Sequence, residues 1–344
     1  MPSVVHVVAT AAFAGVERYV ADVALESTAR GWDVSVIGGN RERMRQALRE
    51  QVAWLPGETA TEALRSLARF RHAQLYHAHM TVAEIASLAA RPLHRAPVVA
   101  TRHFARRRGT HTIGKVISPL IARGLSAEIA ISNFVAQAME RAPAAVILNG
   151  VPEPPLLWNP QSRIVLVLQR LEAEKDTLTA LRGWRASGLF SDGWTMRVVG
   201  NGRERSELEE WTNHRHVAGV EFADWTADVW AEFARAGILV APAPAEPFGL
   251  TVVEAMAAGI PVIASAAGGH LETIGRLKDT AMFYPRDADA LGALLRIAST
   301  QEARVRASHA GRELALSELS NAEHVRQLLE LYQTVLSSRE ASRR

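Results

Sequence analysis

At 344 residues the chain is longer than one hydrophobic core usually supports, so two domains are expected. Its 48% hydrophobic and 22% charged residues describe an ordinary globular protein, and a net charge of +3 is too small to imply a nucleic-acid partner. The absence of cysteine excludes disulfides, thiolate nucleophiles and Cys-ligated zinc.

The opening "MPSVVHVVAT" has no basic segment followed by a long apolar one, and no apolar run is long enough to span a membrane. A cytoplasmic protein without an export signal is expected. "VVHVVAT" (residues 4–10) reads as a strand, followed by a helix over 16–30 that stops at Gly31. "DVSVIGG" (33–39), "LYHAHM" (75–80), "PVVATRH" (97–103), "EIAIS" (128–132) and "AVILNGV" (145–151) continue a series of apolar strands. Such strands, separated by helices, form a parallel sheet covered on both faces.

The proline-rich "VPEPPLLWNP" (151–160) cannot continue a helix or a central strand and reads as a linker. The alternation restarts with "RIVLVLQRL" (163–171), "TMRVVGNG" (195–202), "VEFADW" (220–225), "ILVAPAP" (238–244) and "PVIASAAGG" (261–269). The fold class is therefore α/β, with two Rossmann-like doubly wound domains over 1–152 and 153–322 and ligands bound in a cleft at their strand ends. Residues 323–344 form an amphipathic helix expected to pack back toward the first domain.

One apolar stretch, "PAEPFGLTVVEAMAAGIPVIASAAGG" (244–269), carries two carboxylates, Glu246 and Glu254. Glu246 falls in a loop at a strand's carboxyl end, and Glu254 about one turn inside the following helix. The free N–H groups of Phe248 to Val252 would favour a phosphate, leaving the carboxylates to hydrogen-bond sugar hydroxyls. On spacing alone, a loop and a helix glutamate in local salt bridges is the simpler reading.

In this context the stretch resembles the Glu-x7-Glu signature of the retaining, two-domain (GT-B) glycosyltransferases of family 4, the glycogen-synthase-like group. "LQRLEAEKD" (168–176), "VVGNGRERSELE" (198–209), "ILNGV" (147–151), "AISNFVAQAM" (130–139) and "AGVERYVADVALESTARGWDVSVIGG" (14–39) resemble further segments of that family, in family order. The resemblance implies transfer of a sugar from a nucleoside diphosphate sugar, with UDP favoured over GDP, to a hydroxyl acceptor with retention of configuration and no metal cofactor. The acceptor would be a glycan, a glycolipid or a small metabolite.

It also implies roles. Arg170 and Lys175 grip the departing diphosphate, where preorganised cations stabilise the transition state. Glu254 holds the ribose hydroxyls, and Glu246 orients the donor sugar without acting as a nucleophile. Gly249, Leu250 and Thr251, next to Phe248, offer backbone N–H groups to the diphosphate. Gly202 permits close approach of the nucleotide, or simply a turn. Gly15 matches the second glycine of a "GG" loop facing donor phosphate or acceptor, with Ala14 in place of the first. His103 matches a histidine that touches the donor sugar, with Arg102 a bulky cation beside it.

Three other features invite different readings. His77 and His79 share one face of a strand end, the spacing of some metal hydrolases, although no further clustered His and Asp set completes such a site, and a structural or acceptor-side role is expected. Asp287 and Asp289 form an Asp-x-Asp pair better explained as a helix start. The segment Arg102, Arg106, Arg107, Arg108 and Lys115 reads either as a solvated face or as a contact with an anionic acceptor or acidic lipid, which would place the protein peripherally on a membrane. Alternatives to the transferase are a non-catalytic two-lobed sugar-binding protein and a metal hydrolase using His77 and His79. Within the same family, a sugar-phosphate acceptor or phosphorylase chemistry is a further possibility.

Overall fold

A computed structural model describes residues 1–108, 112–226 and 228–341, with the backbone alone over 112–117. Among these residues the chain divides into two units, Met1–Gly150 with Asn321–Arg344, and Val151–Ser320.

In the first unit β1 (Ser3–Val8), β2 (Asp33–Gly38), β3 (Ala53–Leu55), β4 (Leu75–His79), β5 (Val98–Arg102), β6 (Ala127–Ala130) and β7 (Ala145–Val146) form one parallel sheet. Its order is β3-β2-β1-β4-β5-β6-β7. The chain winds outward from β1 to one edge, then returns to build the other half from β4. The point of reversal lies between β1 and β4. Alternate residues of each strand serve opposite faces. Val4, Val8, Leu75 and Val99 pack on one face with Tyr19, Val20 and Val23 of the helix Gly15–Ala29. Val5, Val7, Tyr76, Ala78 and Val98 pack on the other with Ala83 and Ala86 of the helix Thr81–Ala89.

The helix Asn321–Ala341 belongs to this unit and lies against Gly15–Ala29. Val325, Leu328 and Tyr332 are fully buried in the shared core, each worth about 1.5–3 kcal/mol by area. Its start is tied down by Asn321 Nδ2 donating to the Asp22 carbonyl at 3.0 Å and Arg30 donating to the Ala322 carbonyl at 2.9 Å.

The second unit repeats the plan. β8 (Ile164–Leu168), β9 (Thr195–Val199), β10 (Val220–Ala223), β11 (Ile238–Ala241), β12 (Val262–Ser265) and β13 (Met282–Phe283) form a parallel sheet in the order β10-β9-β8-β11-β12-β13. Its winding reverses between β8 and β11. Both expected Rossmann-like sheets are present. The segment expected as a strand over 145–151 keeps that form only at Ala145–Val146, and β3 and β13 were not expected at all. Among the described residues no helix is long and apolar enough to cross a membrane.

Candidate active site

Open parallel sheets bind ligands beyond their carboxyl ends at the point where strand order reverses. In the second unit that point is flanked by the segments that follow β8 and β11, and these carry Arg170, Lys175 and Glu246. Lys175 Nζ donates to Glu246 Oε2 at 2.5 Å. Gln169 Nε2 holds the first segment in shape by donating to the Lys175 carbonyl (3.1 Å) and to Thr177 Oγ1 (2.9 Å). Asp176 takes a left-handed conformation, φ 50°, where this segment turns into the helix Thr177–Ser187. Arg170 pairs instead with Glu174 at 2.7 Å, and both of these side chains are well exposed.

The second segment is shaped by glycines. Gly249 caps the helix Leu250–Ala257 with φ 94°, and a Cβ there would meet the His270 ring at 2.9 Å. A Cβ on Gly268 would lie 2.4 Å from the Glu246 carbonyl oxygen, and one on Gly269 2.4 Å from Phe248 Cα. Gly269 N donates to the Glu246 carbonyl at 2.7 Å. The pair Gly268–Gly269 thus forms the floor under residues 246–248, and side chains would lift that loop.

At the helix start, Val252 N donates back to the Gly249 carbonyl at 3.0 Å, so it leaves the expected set of free donors. Among the described residues the N–H groups of Gly249, Leu250 and Thr251 make no hydrogen bond. Three donors at a helix N-terminus, beside an ammonium, are suited to an anion. Phe248 is buried and anchors the loop. Glu254 is also buried, on the helix that these donors cap. His270, which sequence reasoning missed, is buried beneath Gly249 with Nδ1 3.1 Å from Ser265 Oγ. Burial pushes it down to about 4, so the ring is neutral at pH 7. The "GGH" of residues 268–270 was its only sequence signal. Gly202 approaches protein: a Cβ there would sit 2.1 Å from the Leu171 carbonyl oxygen, where two loops cross.

In the first unit Gly15 opens the helix Gly15–Ala29 and is exposed. Ala14 precedes it at φ −131°, an extended conformation any residue adopts, so the missing first glycine costs nothing. Its N–H is held by Glu17 Oε2 at 2.7 Å. His103 follows β5 and is buried, with Nε2 3.1 Å from His79 Nδ1. His79 Nε2 lies in turn 3.0 Å from His6 Nδ1.

The expectation that no further His and Asp set joins His77 and His79 is corrected in one respect, since a third histidine does, though no Asp among the described residues. Parallel register sets His6 of β1 beside His77 of β4, and nitrogens of His6, His77 and His79 lie within 4.8 Å of one another. Such a trio could take a cation. Both nitrogens of His77 are, however, hydrogen-bonded to Tyr332 and Thr101, and both of His79 to His6 and His103. Asp287 caps the helix Ala288–Ala298 through Oδ1, as the helix-start reading has it.

The basic segment is also corrected in part. Arg102 and Arg108 are buried. Arg108 pairs with Glu84 at 2.5 Å and with Glu128 and Glu140, while Arg102 pairs with Glu140 at 2.9 Å. Strand alternation sends Arg102 to the face opposite Thr101 and His103, so it is no neighbour of that histidine's ring. Arg106 and Arg107 are exposed; the Lys115 side chain and residues 109–111 lie outside the described part.

Residues 153–314 match the family described as Glycosyl transferases group 1, and residues 13–153 match Glycosyltransferase Family 4, so the two matches meet at the junction of the units. The chain belongs to the family-4 glycosyltransferases of GT-B fold. A glycogen synthase of Mycobacterium tuberculosis is 32% identical over 136 residues, 38% of this chain and 33% of the relative. The probable sucrose-phosphate synthase 5 of Oryza sativa subsp. japonica is 26% identical over 157 residues, 40% of this chain and 15% of that one. The matches to these curated relatives thus span a third or less of their length. The crystal structure of Anabaena Alr3699/HepE in complex with UDP-glucose superposes with a TM-score of 0.80 at 18% identity, covering 97% of this chain and 100% of that one.

Proposed function

We propose that this glycosyltransferase moves a sugar from a UDP-sugar to a hydroxyl acceptor, with retention of anomeric configuration and without a metal ion. The observation that carries the proposal is the meeting of Lys175 and Glu246 at the reversal point of the second sheet, beside three undonated N–H groups. Negative charge develops on the departing diphosphate, and an ammonium about 4 Å from it is worth roughly 4 kcal/mol at an effective dielectric near 20. Lys175, the N–H groups of Gly249, Leu250 and Thr251, and Arg170 once it swings from Glu174 would share that charge. Glu246 would accept hydroxyls of the donor sugar, and Glu254 those of the ribose. Phe248 would hold the loop, and Gly202 would keep the neighbouring one close.

His103 and Gly15 are proposed to contact the sugar and the donor phosphate or acceptor. His103, pushed down to about 3 by burial and so neutral at pH 7, would do so as a hydrogen-bonding group and not as a cation. The choice of UDP is supported by the UDP-glucose named for the Anabaena structure, a likeness that shows the fold alone. A cytoplasmic location and a peripheral contact with anionic membrane, through exposed Arg106 and Arg107 beside Phe104, belong to the same proposal.

A thermal-shift panel of UDP, GDP, ADP and their sugars tests the donor, since a ligand of the native state raises the melting temperature. UDP and a UDP-sugar should raise it, and turnover should persist in EDTA. Stabilisation by no nucleotide, or loss of turnover in EDTA, would reject the reading. Equal flotation with neutral and anionic vesicles would remove the membrane contact.

A further inference from the structure

Five buried histidines of the first unit lie on one face of its sheet, and their hydrogen bonds sort them into two kinds. His324 has a fixed proton. Its Nδ1 lies 2.7 Å from the Leu148 carbonyl oxygen, which only accepts, so Nδ1 carries the hydrogen and Nε2 accepts from the Tyr19 hydroxyl at 2.8 Å. His77 is held at both nitrogens by hydroxyls, Tyr332 at 2.5 Å and Thr101 at 2.7 Å, and a hydroxyl turns to suit either tautomer.

His6, His79 and His103 are different, because each contact joining them runs from one ring nitrogen to another. His6 Nδ1 meets His79 Nε2 at 3.0 Å, and His79 Nδ1 meets His103 Nε2 at 3.1 Å. Each contact needs one hydrogen, and each neutral ring supplies one. Burial keeps all three rings neutral at pH 7, His6 and His103 at about 3 and His79 well below the usual histidine range. Only two arrangements then satisfy both contacts: all three hydrogens on Nδ1, or all three on Nε2. The tautomers are locked in step.

The ends of the chain decide between them. At the inner end His6 Nε2 is buried and has no partner among the described residues. The all-Nε2 arrangement would leave an N–H there with nothing to donate to, and orphaned buried N–H groups are rarer than under-satisfied acceptors. At the outer end His103 retains 7% exposure, and among the described residues its Nδ1 makes no hydrogen bond. We propose that His6 and His79 are positioning residues that hold His103 in its Nδ1–H tautomer, so that His103 presents a fixed neutral donor to an oxygen of the donor sugar. The presentation to sugar rests on the proposed function; the coupling of the three rings rests on the hydrogen bonds alone. A ligand group that itself had to donate to Nδ1 would force three rings to change together. The relay therefore selects for an acceptor at that position.

Nitrogen-15 labelling of histidine and long-range proton–nitrogen correlation on the full chain at pH 7 read each tautomer directly. In the free protein His6, His79 and His103 should all appear as Nδ1–H. Any of the three as Nε2–H, a protonated ring, or one equivalent of co-purified metal on the rings would overturn the relay. This measurement needs no ligand, so it stands apart from the outcome of the nucleotide panel. With a UDP-sugar that raises the melting temperature, the His103 Nδ1 resonance should shift while the proton stays in place; an unmoved resonance would overturn the presentation to sugar. His79→Phe should release His103 to a mixture of tautomers and lower kcat about tenfold with donor KM changed less than about twofold, the loss of one hydrogen bond formed mainly in the transition state. A His103 that stays wholly Nδ1–H in His79→Phe would show that His79 does not set its tautomer.

Discussion

Lys175 and Glu246, 71 positions apart in sequence, meet at 2.5 Å with about a fifth of each side chain still exposed, 19% and 18%. Each is the other's counter-ion until an anion arrives. In the proposed reaction a bound diphosphate would compete with Glu246 for the ammonium and release the carboxylate toward sugar hydroxyls.

Replacing Lys175 with Ala should lower transfer by about 10²–10³-fold, the usual cost of removing one preorganised charge stabiliser. The melting temperature should hold within a few degrees, because a partly exposed pair contributes little to stability. Wild-type rates in this variant would show that the diphosphate is held elsewhere.

Glu246→Gln separates the two members of the pair. Freed of its carboxylate, Lys175 should bind UDP more tightly, by about tenfold given the charge removed beside the phosphates, while transfer falls. Isothermal titration decides the point; weaker UDP binding would mean that Glu246 holds Lys175 in position and does not compete for it.

Glu254→Ala should weaken UDP binding about 10–100-fold, the loss of a charged hydrogen-bond acceptor, with kcat at saturating donor reduced much less. An unchanged nucleotide affinity would refute the ribose role.

Acid should unfold the first unit early. His6, His77, His79, His103 and His324 all have folded values depressed by burial, while the unfolded chain protonates them near 6.5. Their contribution is complete above pH 6.5 and is lost as pH falls from there toward about 3, the folded value of His6 and His103. Asp22 has the opposite sign, since burial raises it to about 6 and it gains stability on acidification. Near pH 5 these six groups together should therefore take up about four protons on unfolding, at about 1.4 kcal/mol per proton per pH unit, and His94, lowered as well by burial, adds to the uptake. Urea midpoints measured from pH 7.5 to pH 5 should drop steeply; a flat profile would show that these rings are already protonated in the folded state.

Arg108→Met should cost about 3–5 kcal/mol, because it strands the buried carboxylate of Glu84 and leaves Glu128 only Arg141 and Arg102. The double variant Arg108→Met with Glu84→Leu should recover part of that loss in urea titrations. Equal stability of the single variant and the wild type would contradict the buried network.

How far these features could be read in advance depended on distance along the chain. The long Val- and Ile-rich strands announce both sheets, but Ala53–Leu55 and Met282–Phe283 are too short to show a period. Glu246 and Lys175 were visible because each sits in a motif. The glycine floor under Glu246 has no signal of its own in the sequence, since the need for glycine at 268 and 269 appears only when the loop folds over them. His6, His77, His103 and His324 come together through strand register and a returning helix, which no local pattern encodes. The basic segment misled for the same reason: the partners of Arg102 and Arg108, at positions 84, 128 and 140, are invisible from residues 102–115.

The first unit is closed by the last helix, which brings His324 to Tyr19 and Tyr332 to His77. During synthesis its sheet can assemble from the first 150 residues, yet this hydrogen-bonded core stays unfinished until the whole second unit and residues 321–332 have left the ribosome. A nascent chain stalled at residue 320 should hold a folded second unit beside a loosely packed first one, so the two halves mature in the reverse of the order in which they begin.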